Sequence, residues 1–125
     1  MNRNRYLFYF VMSLALAVVI AWGALRDVPP IPKLFAEQDK LEHFLTFAAL
    51  TLWVSALVKP SRLFLAITLC LAAALGLESA QGVFSQARSA SVFDFLASSI
   101  GVFSAAGFIW TARYFLRRRR VAGLE

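Results

Sequence analysis

Two uncharged apolar runs, Phe44 to Val58 and Leu63 to Leu77, lie on either side of Lys59-Pro60-Ser61-Arg62, and no other feature constrains the fold more. Each run has 15 residues. They are apolar on all sides, whereas a barrel strand would alternate, so both read as membrane helices. Pro60 ends helical continuity between them, which makes the pair a hairpin. Lys59 and Arg62 belong at a membrane surface, where a cation reaches water and anionic head groups. His43 lies 16 residues before Lys59, and Glu78 lies 16 residues after Arg62. Both are therefore about 24 Å from the turn at ~1.5 Å per residue. A hydrocarbon core takes about 20 residues to cross, so this shared level falls inside the far edge of the membrane. Polar groups placed there need partners.

Tyr6 to Leu25 adds 20 uncharged residues and Phe95 to Ala112 adds 18. Of the 125 residues, 60% are hydrophobic and 16% charged, which excludes a soluble domain with one buried face. The expectation is a single-domain, all-α membrane protein. Its form is a four-transmembrane-helix bundle with spans at about 6–25, 39–58, 63–82 and 92–115. The net charge of +6 is concentrated in Arg3 and Arg5, in Lys59 and Arg62, and in Arg117 to Arg120. Four spans put all three clusters on one side, the cytoplasm by the positive-inside rule, and with them both termini. An arginine run directly after a span reads as a topology anchor on anionic lipid, so no nucleic-acid partner is expected.

Between the spans the chain is polar or irregular. Pro29, Pro30 and Pro32 make 26–38 an extracytoplasmic connector. Ser91 and Asp94 have the spacing of a helix-capping pair, which starts the fourth helix. In that helix Ser98, Gly101, Ser104 and Ala105 are small and would let another helix approach closely. The first span also has the flanks of a cleavable signal peptide, with Ala21-Trp22-Gly23 as a small-residue site. Its apolar run exceeds the ~7–15 residues usual for one, so a retained span is expected. Cys70 is the only cysteine and reads as a packing residue in the third span.

Every residue suited to chemistry falls on the extracytoplasmic side. Asp39, Lys40 and His43 open the second helix, Glu78 and Gln81 close the third, and Arg88 and Asp94 flank the start of the fourth. Asp39 and His43 are i and i+4, and Glu78 and Gln81 are i and i+3, so each pair shares a helix face. A histidine beside a carboxylate can act as general acid or base near neutrality. Alternatively, a His43–Glu78 hydrogen bond simply locks the hairpin. His43, Glu78 and Asp94 or Asp39 are metal-ligand types, yet the chain has no HExxH and no second histidine, so no metal or other cofactor is expected. Lys40 and Arg88 point to an anion, helped by the positive ends of the second and fourth helices, which begin on this side. The competing reading has Lys40 neutralising Asp39 or reaching into the interface.

These residues resemble the VanZ-like family of small bacterial membrane proteins. The likeness rests on Asp39-Lys40-x-x-His43-Phe44, on Glu78-x-x-Gln81, and on Arg88, Ser91, Asp94 and Gly101, over roughly 30–107. The chain departs from the family pattern at Phe47 and Ser98, where Tyr and Asn are common. The resemblance implies a multi-pass helical protein of the bacterial cytoplasmic (inner) membrane. The name-giving member is linked to teicoplanin resistance, which is not carried over to this chain. The function expected is recognition, with or without processing, of an anionic or polar envelope molecule: a lipid-linked precursor or a phospholipid head group. His43 and Glu78 would be the catalytic pair, and Asp39, Lys40, Gln81, Arg88, Asp94 and Ser98 would bind the molecule. The alternative is a non-enzymatic scaffold whose polar cluster is structural. Membrane lipids are the expected partners, and the sequence sets no oligomeric state.

Overall fold

The computed structural model describes residues 2–25, 32, 34–84 and 90–123, and these contain four α-helices. They are α1 (Arg3–Leu25), α2 (Gln38–Leu57), α3 (Leu63–Phe84) and α4 (Val92–Val121). Pro60–Arg62 forms a 3-10 turn between α2 and α3, with Pro60 at its first position, where its missing N–H is no loss. Three segments are long and apolar enough to cross a membrane: α1, Pro60–Phe84 and α4. α2 is set apart by Asp39, Lys40 and Glu42, which crowd its first turns. α4 runs past position 115, through the arginine run. Arginine is a good helix former, and cations at a helix C-terminus complement its dipole. Arg118 lies 5.5 Å from the centre of the Tyr114 ring, covering one ring of the Trp110–Tyr114 stack.

Burial follows a spacing of three to four residues on each central helix. α2 buries Phe47, Thr51 and Ser55; α3 buries Ala66, Cys70, Ala74 and Glu78. α4 buries Ser98, Gly101, Val102, Ala105 and Ala106. Apart from Phe47, Val102 and Glu78, these side chains are small enough to let backbones approach. Gly101 shows the need directly, because an added Cβ would collide with the carbonyl oxygen of Phe44. The α2–α4 interface is accordingly the most extensive in the bundle. Ser104, grouped with the small residues in sequence, instead faces outward.

Hydrogen bonds fix the alignment of the helices. Arg113 of α4 donates to the carbonyls of Ser55 and Pro60, so α4 passes the C-terminal end of α2 at that residue and extends beyond it. Gln81 of α3 donates to the Ala24 carbonyl at 2.7 Å, so α1 and α3 end together at the opposite pole. α2 and α4 thus run parallel, antiparallel to α1 and α3. α1 buries no residue and is held by few contacts: Trp53 donates to Ser13 at 3.0 Å, and the Tyr9 and Trp53 rings meet edge to face.

Candidate functional site

The pole opposite the Pro60 turn gathers ionisable groups from three helices. Its framework starts at Ser91, the N-cap of α4, whose hydroxyl accepts the Asp94 N–H at 3.3 Å. The backbone N–H of Ser91 donates to Glu78 Oε1 at 2.5 Å, which ties the end of α3 to the start of α4. Glu78 is only 6% exposed. A buried carboxylate requires such donors, and the uncapped first N–H groups of a helix supply them.

His43 meets α4 at two points. Its Nδ1 is 3.2 Å from Ser98 Oγ, and its Nε2 is 3.8 Å from Asp94 Oδ2. Asp94 and Ser98 are one turn apart on α4, so a single face presents both groups to the ring. In place of the His43–Glu78 hydrogen bond, one of two readings of the hairpin, His43 meets Ser98 and Asp94, and Glu78 is held by Ser91. His43, Glu78 and Asp94 still form one cluster: each offers a potential metal-ligand atom, and these atoms lie within 4.8 Å of one another.

The other residues read from sequence take varied positions. Lys40 Nζ pairs with Glu37 at 2.7 Å, not with Asp39. Asp39 is half-buried one turn before His43. Gln81, 2% exposed, has its amide on Ala24 and its side chain against a cleft. Arg88 lies outside the described residues. Ser79, one residue after Glu78, faces outward and donates to the Leu75 carbonyl of its own helix.

The cleft has a volume of about 310 Å³ and lies between α1, α2 and α3. Val19, Ile20, Leu77 and Phe47 form apolar walls, while Glu42, His43, Thr46 and Gln81 add polar groups. Sequence reasoning missed Thr46, although its position three residues after His43 places it on the same helix face. It also missed Gln38. That buried amide accepts from the Leu34 N–H at 2.6 Å, and donates to the Pro32 carbonyl at 2.9 Å and to Glu42 at 3.1 Å. It thereby fastens the connector to α2, a role that depends on the path of an irregular segment and leaves no periodic signal. No protein-family model, curated protein or solved structure matches the chain.

Proposed function

We propose that this chain is a multi-pass protein of the bacterial cytoplasmic membrane. In this reading it has four spans and both termini inside, and its outer cleft recognises an anionic or polar envelope amphiphile, a phospholipid or a lipid-linked precursor. The observation that carries the reading is the cleft beside His43. Apolar walls with a few convergent polar groups suit a molecule that is itself part lipid and part polar head. The cleft lies at the pole where α1 and α3 end and α2 begins, so a head group would reach it near the membrane surface.

His43 is the member shared by the cleft and the ionisable cluster. It is the group placed to exchange a proton with a bound molecule, with Glu78 and Asp94 beside it. Lys40 and Arg88 remain the proposed anion contacts, and an anion at Lys40 competes with Glu37. The kinship with VanZ-like proteins belongs to the same proposal. It is supported by the meeting of His43, Glu78 and Asp94, scattered in sequence, at one place in the fold.

The test is a thermal-shift titration in detergent with phosphatidylglycerol and with a polyprenyl phosphate. Gly23 borders the cleft and a Cβ added there meets nothing, so Gly23→Phe introduces a bulky ring at the cleft wall. Lipid should raise the Tm of the wild type, and should do so much less in Gly23→Phe, His43→Gln and Arg88→Glu. Equal responses in all four proteins would remove the proposal. A scaffold role predicts instead that His43→Ala and Glu78→Ala lower the Tm while neither lipid shifts it.

A further inference from the structure

We propose that His43, Glu78 and Asp94 bind one divalent metal ion of the Zn²⁺ class where α2, α3 and α4 meet. The three potential ligand atoms come from three helices and lie within 4.8 Å of one another. The 3.8 Å between His43 Nε2 and Asp94 Oδ2 exceeds the ~3.2 Å reach of a normal hydrogen bond, so the two groups face a common space without closing it. Ligand atoms around a tetrahedral Zn²⁺ with bonds of ~2.1 Å lie about 3.4 Å apart. The His43–Asp94 pair closes by about 0.4 Å from 3.8 Å, and no pair in the cluster, all within 4.8 Å, has to close by more than about 1.4 Å.

A separate observation fixes the imidazole. Ser98 Oγ stands 3.2 Å from Nδ1. With the Nδ1 proton donated to that hydroxyl, the Nε2 lone pair is left towards Asp94. Metal-bound histidines characteristically carry such a partner on the far ring nitrogen, which sets both tautomer and ring orientation.

Charge points the same way. Glu78 is 6% exposed and the Asp94 side chain 21%, so two carboxylates share a poorly hydrated space and repel each other. Among the described residues, the ion-pair partner of Asp94 is His43 itself, while Lys40 is bonded to Glu37 and acts on Asp94 only at longer range. A proton on the imidazole would balance one carboxylate, whereas a dication balances both with the imidazole neutral. One nitrogen and two carboxylates suit Zn²⁺ or Mn²⁺, since Ca²⁺ and Mg²⁺ take all-oxygen shells.

The ion site stands on this geometry and not on what enters the neighbouring cleft. Protein purified in detergent without added lipid is stripped with a chelator and titrated with ZnCl₂ by calorimetry. A parallel titration with CoCl₂ is followed by visible absorption, which reports ligand geometry. One Zn²⁺ per chain is expected, together with Co²⁺ bands that Zn²⁺ displaces. Asp94→Asn and Glu78→Gln preserve size, and Glu78→Gln keeps an acceptor for Ser91; both should lose the Co²⁺ bands. Ser98→Ala should keep the bands and weaken Zn²⁺ by about 10–100-fold. The site is overturned if wild-type protein binds no more Zn²⁺ than His43→Ala, or if Asp94→Asn and Glu78→Gln bind as wild type does. A protein that responds to lipid but not to Zn²⁺ loses only the ion, and one that takes Zn²⁺ but ignores lipid loses only the amphiphile.

Discussion

Glu78 shows how one side chain couples two helices at the pole opposite the Pro60 turn. Its carboxylate satisfies the Ser91 N–H at the mouth of α4 while its own helix ends two turns later. Glu78→Ala orphans that donor in a buried place, and the loss expected is about 1–3 kcal/mol, read from unfolding in mixed detergent micelles. Glu78→Gln retains an acceptor and should lose clearly less; equal losses would mean that the contact with Ser91 contributes nothing. The residue scale is also where sequence reasoning stopped. The counting that put His43 and Glu78 at one level concerns backbone rise alone. Which atoms meet depends on helix rotation and rotamers, and those give His43 to Ser98 and Asp94, and Lys40 to Glu37.

Among elements, the α2–α4 seam carries the closest packing. Gly101 is pressed against the Phe44 carbonyl, one residue after His43, so the seam also sets the distance between His43 and Asp94. Gly101→Val forces the helices apart and should destabilise by about 1–3 kcal/mol, the usual range for overpacking. Gly107 faces open space, and Gly107→Val, with no neighbour to displace, is the control. A Gly101→Val protein as stable as that control would contradict the packing described. The start of α4 was legible from Ser91 and Asp94 because capping is a local hydrogen bond. Ser91→Ala should therefore lower stability by about 0.5–2 kcal/mol in the same unfolding assay. The outward face of Ser104 was not legible, since a row of small residues has more than one face and only a docked neighbour selects it.

For the whole molecule, the parallel alignment of α2 with α4 and of α1 with α3 gathers the Pro60 turn and Arg113 at one pole and His43, Glu78 and Asp94 at the other. If all four helices cross, positions 2, 61 and 123 share one side and position 36 lies on the other. In a Cys70→Ala background, Asn2→Cys, Ser61→Cys and Gly123→Cys should resist an impermeant maleimide in intact cells, and Ala36→Cys should react. Labelling of Ser61→Cys from outside, or protection of Ala36→Cys, would rule out the four-span arrangement. The sequence by itself determined the helices, the hairpin at Pro60 and the common level of His43 and Glu78, because apolar run length, proline and rise per residue act locally along the chain. Only the tertiary structure decided that Ser98 orients His43, that Ser91 holds Glu78, and that α1 walls a cleft beside them. Those outcomes follow from how each helix turns about its own axis when small faces interlock, and that angle is a property of the packed neighbours.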